Sequence, residues 1–147
     1  MEKEKNDIVI DENNKHFNYR AAGILQIENS FLFKQSVDEL ADLEIIGGKV
    51  KFHESAYHAV IREFKEELGI NIKVEKLFKV MDHEVKTANE SWQQIIVIFK
   101  VSSSDLNVSK IPKEFSLHKK DELKHLNIQP NVFKNANSKI YMRDNFL

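Results

Sequence analysis

The stretch from Gly48 to Ile70, GKVKFHESAYHAVIREFKEELGI, constrains this chain more than any other. Gly48 is followed after five residues by Glu54, and after seven more by Arg62-Glu63-Phe64-Lys65-Glu66-Glu67-Leu68-Gly69-Ile70. Ser55 is placed to cap a helix that begins at Ala56, and Gly69 stands where a left-handed C-cap ends one. At 3.6 residues per turn, Tyr57, Val60, Ile61, Phe64 and Leu68 fall on one face. Glu63, Glu66 and Glu67, at i, i+3 and i+4, fall together on the other side. Ala56 and Ala59 are expected on that acidic side, where they leave room beside the carboxylates. Like charges so spaced cost a free helix roughly 0.2–0.5 kcal/mol per pair, and a hard divalent cation held by oxygen ligands offsets that repulsion. A solvated acidic face is the commoner meaning of such a cluster taken alone, but it leaves the flanking glycines and Arg62 without a purpose.

The full pattern, with all nine of its specified positions filled, resembles the signature of the Nudix hydrolases. The resemblance implies an α/β fold, a Nudix-type α/β/α sandwich with a mixed sheet between helices. It also implies Mg²⁺-dependent (or Mn²⁺-dependent) hydrolysis of a nucleoside diphosphate linked to a further group X. Carried over position by position, Glu63, Glu66 and Glu67 become the metal ligands, joined by the Gly48 carbonyl, and one of the carboxylates polarises the attacking water. Arg62 and Glu54 hold loop and helix in register. Arg20, Lys34 and Lys49 stand near positions where relatives meet substrate phosphates. A fourth carboxylate often completes the cluster or serves as general base. Where some relatives have Glu, this chain has Gln93-Gln94, and an amide is no base; Gln94 is left to substrate binding and Glu114, before Phe115, takes the role of fourth carboxylate. Ile46 departs from the Pro usual at its position.

The substrate is read from what is absent. Relatives specific for ADP-ribose or dinucleoside polyphosphates carry a Pro or Tyr soon after the box, whereas this chain has Val85-Lys86-Thr87 there and its next Pro and Tyr are Pro112 and Tyr141. A nucleoside triphosphate or related small nucleotide is therefore expected, with ADP-ribose or dinucleoside polyphosphate hydrolysis as the alternative. A Nudix-fold regulatory module that binds nucleotide without turnover, and an acidic helical interaction surface, are further alternatives. Trp92, Phe17, Tyr19 and Phe33 are candidates to stack on a base, although aromatic residues are more often core.

Composition narrows the rest. With 147 residues, 41% hydrophobic and 31% charged, the chain suits a single domain spanning 1–147. A net charge of −1 gives no basic footprint for nucleic acid. The absence of cysteine excludes disulfides, zinc thiolates and thiol catalysis. No signal-like segment or membrane-length apolar run occurs, so a cytoplasmic protein is the default expectation. The six histidines share no metal-ligand spacing.

Along the chain, residues 1–15 are expected to form a flexible arm or edge strand, with Ile8-Val9-Ile10 as a pairing arm if the protein is a homodimer. Phe17 to Ile27 and Ser30 to Lys34 read as a hairpin through Glu28-Asn29, and Ser36 to Asp42 as a loop. Leu43 to Ile46 reads as a strand ending at Gly47-Gly48. Beyond the helix, strands are expected around Ile70–Val74 and over Leu77–Val85, with a polar turn at Thr87–Ser91. Ile95–Phe99 has the unbroken apolar run of a central strand. Glu114–His118 is expected as the last strand, Lys120–Leu126 as a short helix, and Pro130–Asn135 as a final one.

Overall fold

The computed structural model describes residues 6–37, 41–129 and 138–143, the last of these as backbone only. Its spine is β2 (Lys15–Ile27), which is shared by neighbours along both edges. One edge pairs in parallel with β7 (Ser91–Ser102), from Lys15 opposite Ser91 to Leu25 opposite Val101. The other edge is divided among three partners: β1 (Val9–Glu12), β5 (Ile46–Lys49) and β3 (Ser30–Gln35), all antiparallel. Adding β4 (Leu43–Glu44), β6 (Lys73–Lys86), β8 (Phe115–Lys119), β9 (Ile128–Gln129) and β10 (Ser138–Arg143) gives a mixed sheet of ten strands among the described residues. Its path runs β10-β6-β7-β2-β3-β4-β9.

Period-two alternation in the spine sorts the core into two layers. Ala21 and Leu25 of β2, Leu32 of β3 and Val101 of β7 pack with helix α1 (Ala56–Leu68). Ala22, Ile24, Phe33, Ile96 and Ile98 point the other way, onto Leu123 and Ile128. The expected central strand is therefore central, since Ile96 and Ile98 are buried on one face while Phe99 and Val101 are buried on the other.

Ser55 caps α1 as its sequence predicts, its Oγ accepting from the His58 N–H at 3.1 Å, and Gly69 ends the helix at φ +68°. The rotation of α1 about its axis differs from the expectation. Ala56 and Ala59 lie in the core with Val60 and Phe64, while Tyr57 is 47% exposed. Two glycines explain the difference. A Cβ on Gly23 would lie 2.7 Å from Cε2 of Phe64, and one on Gly48 would collide with the Glu63 carboxylate. The helix thus docks where the sheet has no side chains, and Glu63 is drawn to the border of the buried face instead of pointing away from it.

Several expected boundaries are corrected. Of the two readings left open for the N-terminal segment, edge strand or pairing arm, the pairing of residues 9–12 with β2 of their own chain bears out the edge strand. Leu43–Ile46 splits at Ile45, because β4 pairs with β3 and β9 while β5 turns to β2 and carries both glycines inside the ladder. The two strands expected after the helix are one, β6, which absorbs two register shifts against β7. Glu114–His118 is not the last strand, since β9 and β10 follow. In place of a helix over 120–126, a 3₁₀ turn spans Glu122–His125; Asp121 gives it no side-chain cap, and Leu123 anchors it in the far core. The expected helix at Pro130–Asn135 lies outside the described residues. Among those residues no helix is long and apolar enough to cross a membrane.

Candidate active site

The site is assembled where β5 runs into α1. Gly47 and Gly48 show opposite faces of one thin strand. A Cβ on Gly47 would strike the Ala21 carbonyl and Ala22 backbone, so that position requires a residue without a side chain, and one on Gly48 would displace the Glu63 carboxylate. The loop that follows is fastened to the helix by Arg62. Its Nε and Nη2 donate to the two oxygens of Glu54 at 2.7 and 2.9 Å, a bidentate fork. Nη2 also donates to the Lys49 carbonyl at 3.0 Å, and Nη1 to Glu63 Oε1 at 2.8 Å and Glu66 Oε2 at 3.3 Å. The Arg62 hydrogen bonds hold the Glu54 carboxyl below its ordinary range, with the Lys51 N–H adding to the effect. Glu54 in turn pushes the already basic Arg62 higher.

The three helix carboxylates are thus partly neutralised by side-chain cations. Arg62 lies between Glu63 and Glu66, and Lys34 of β3 reaches Glu67 Oε1 with its Nζ at 3.2 Å. Glu67 Oε2 is buried and has no hydrogen-bond partner among the described residues. Burial raises the Glu67 pKa, opposed by the Lys34 charge and hydrogen bond and by Arg20, while Glu63 pushes it further up. Among the described residues, no three acidic or histidine side chains already converge on one point at metal-ligand distance. The donor set nevertheless suits a hard divalent ion: it consists of oxygens alone, and one carboxylate oxygen is buried without the partner that a buried acceptor needs.

On the far side of β5 a cavity of about 200 Å³ opens against the sheet face away from α1. Gly47, Ala22 and Ile96 form its apolar wall, and Arg20, Glu44, Gln94 and Gln129 supply the polar groups. Arg20 stands directly opposite Lys49 in the β2–β5 register, an arrangement of like charges that an anion would relieve. Arg20 and Gln94 thus share one pocket, whereas Lys34 faces the helix carboxylates instead. Sequence reasoning missed Glu44 and Gln129, which are register neighbours across β4 and β9. Glu44 was accessible to such reasoning as the acid leading into the glycine pair. Gln129 was not, because only the parallel β4–β9 pairing brings it there.

Glu114 lies at the entry to β8, its carbonyl accepting from the Gln35 N–H at 2.7 Å. Its side chain is exposed and, among the described residues, shares no hydrogen bond or ion pair with the helix carboxylates. Of the candidate stacking residues, Phe33 is buried in the far core and Tyr19 packs against the near one. Phe17 is half-buried, and Trp92 stacks on His16 at 3.9 Å between ring centroids.

Comparison with known proteins bears on the family and the fold. A family model described as the NUDIX domain matches residues 17–139. The 8-oxo-dGTP diphosphatase of Escherichia coli K12 is 37% identical over 68 residues, which cover 44% of this chain and 53% of that protein. The chain thus spans about half the length of this relative. The solution structure of the E. coli ORF135 protein superposes with a TM-score of 0.56 at 21% identity, covering 78% of this chain and 82% of that one. The MutT protein from Bacillus halodurans gives the same TM-score and identity over 76% and 74% of the two chains. These two structures share the fold, and the family model covers the box, the spine and the pocket together: the chain belongs to the family of Nudix hydrolases.

Proposed function

We propose that this protein hydrolyses a phosphoanhydride bond in a nucleoside triphosphate or related small nucleotide, with Mg²⁺ as cofactor. The observation that carries the reading is the buried, partnerless Oε2 of Glu67, set beside Glu63 and Glu66 within a complete box. The name of the E. coli relative, an 8-oxo-dGTP diphosphatase, supports the same class of substrate. Glu63, Glu66, Glu67 and the Gly48 carbonyl would hold the ion. Bound there, a divalent ion neutralises the phosphates and makes a water easier to deprotonate.

The chain's own groups do the remaining work. Arg62 and Glu54 keep the loop and helix at fixed separation, so the carboxylates meet the phosphates in one geometry. Arg20 and Lys49 offer positive charge on the pocket side of β5. Gln94 and the apolar wall receive the nucleoside. Water attacks one phosphorus while the bridging P–O bond breaks, and the water's proton passes to a carboxylate, for which Glu114 is our candidate. The products are a nucleotide and the phosphorylated remainder. The test is a Mg²⁺-supported hydrolysis screen of nucleoside triphosphates, ADP-ribose, dinucleoside polyphosphates and nucleotide sugars, with products identified. A higher kcat/KM for a nucleoside triphosphate is expected; a clear preference for ADP-ribose or a dinucleoside polyphosphate would overturn the choice of substrate.

A further inference from the structure

Two cations hold the carboxylates of α1, and they are held in different ways. Arg62 is fixed by Glu54, Glu63, Glu66 and the Lys49 carbonyl together, and its planar fork loses these bonds if it moves. Lys34 reaches across from β3 to a single oxygen, Glu67 Oε1 at 3.2 Å, and its side chain is 35% exposed. An ammonium on a flexible four-carbon stem is a point charge that can swing without breaking a network. Glu67 itself is only half satisfied, with Oε1 on Lys34 and Oε2 buried without a donor. Such a carboxylate is neutralised in charge yet still lacks a ligand for one of its oxygens.

Resting on the reading of α1 as the metal-binding surface, we propose that Lys34 is an exchangeable counter-cation of that surface. Its ammonium would neutralise Glu67 in the metal-free protein, leave the carboxylate when a divalent ion is held there, and then turn toward the substrate's phosphates. The exchange suits the charges on the page. Without Lys34, Glu67 would face Glu63 and Glu66, and Arg62, which holds those two, gives Glu67 no hydrogen bond. With the ion bound, an ammonium left on Glu67 would repel it, whereas beside an incoming polyphosphate the same charge is favourable. Neighbouring groups leave Lys34 free to move in this way. The carboxylate opposite it in the β3–β4 register, Glu44, is engaged by the Ser36 hydroxyl at 3.0 Å, and Phe115 flanks Lys34 on the β8 side. Lys34 is thus a positioning residue that links metal loading to substrate binding, and it competes with the metal while doing so.

The test compares the wild-type protein with Lys34→Met and Lys34→Arg in Mn²⁺ titrations without nucleotide, free Mn²⁺ being followed by electron paramagnetic resonance. Removing a competing, partly exposed ion pair should tighten Mn²⁺ binding roughly threefold to fivefold in Lys34→Met. Lys34→Arg, which keeps the charge, should bind no more tightly than wild type. Under saturating metal, Lys34→Met should also show a raised KM for its nucleotide, because the released ammonium is missing. Mn²⁺ affinity that is unchanged or weaker in Lys34→Met, or a KM that does not rise, overturns the exchange while leaving the metal reading intact. Failure of folded wild-type protein to bind Mn²⁺ at all overturns both. Lys34→Gln serves as the neutral variant if circular dichroism shows that Lys34→Met does not fold.

Discussion

At the scale of single residues, the site depends on side chains whose environment forces a role on them. Glu67 has one oxygen buried without a partner, and Gln in its place would keep the volume but lose the charge that holds a cation. Glu67→Gln is expected to lower kcat by about two orders of magnitude or more with the melting temperature nearly unchanged; full activity of this variant, or of wild type in chelator, would remove the metal from the mechanism. Gly48 is a second forced position, since any side chain there meets the Glu63 carboxylate. Gly48→Ala should displace Glu63 and weaken Mn²⁺ binding measurably, and unaltered titration curves would show that the carboxylate has room to move. Glu114 differs from these, because its side chain is exposed and, among the described residues, its hydrogen bond is made through its carbonyl. If it is the general base, Glu114→Gln should depress kcat about 100-fold while Gln94→Ala changes mainly KM. Near-normal kcat for Glu114→Gln at saturating Mg²⁺ would place the base within α1 itself.

At the scale of elements, α1 and the loop before it were legible because their cues are local. Ser55, Gly69 and the 3.6 period all lie within the stretch they specify. The rotation of the helix was not legible, because it is set by Gly23 and Gly48 on other elements, which let Phe64 and Glu63 approach the sheet. Short strands were missed for a similar reason: β4 and β9 are two residues each and exist only through their pairing. The Arg62–Glu54 fork ties loop to helix, and its contribution depends on pH in a defined sense. Arg62 depresses the folded-state pKa of Glu54 below its ordinary 4.5. The pair's contribution is therefore fully present above that ordinary value and is lost as pH falls through the lowered one. Thermal melts of wild type and Glu54→Gln should differ most near neutrality and converge in acid. A gap that persists after the pH has fallen through the lowered value would mean that Glu54 acts through packing and not through its charge.

At the scale of the whole molecule, the box is connected to the opposite end of the sheet by the N-terminal strand. The Phe52 N–H donates to the Asn6 carbonyl at 2.7 Å and the Ile8 N–H to the Val50 carbonyl at 2.9 Å, so residues 6–8 brace the loop that carries Glu54. Three residues on, Asp11 contacts His16 Nδ1 at 2.6 Å, while Glu90, in the β6–β7 turn, contacts Nε2 at 2.5 Å. When His16 is protonated both ring nitrogens donate to these carboxylates, and the ring lies stacked on Trp92. The Asp11 and Glu90 hydrogen bonds raise the His16 pKa above its ordinary 6.5. A raised folded-state pKa gives stability that is complete below the unfolded value and disappears as pH rises through the folded one. His16→Gln should therefore melt below wild type at about pH 6, with the gap closing as the solution is made alkaline. Because β1 follows directly on the residues that brace the box loop, the protection factors of the Ile8 and Phe52 amides, taken relative to base-catalysed intrinsic exchange, should fall over the same pH range in wild type. A gap between the two melting curves that is independent of pH, or protection at Ile8 and Phe52 that ignores the titration of His16 followed by NMR, would show that β1 is held by its ladder alone.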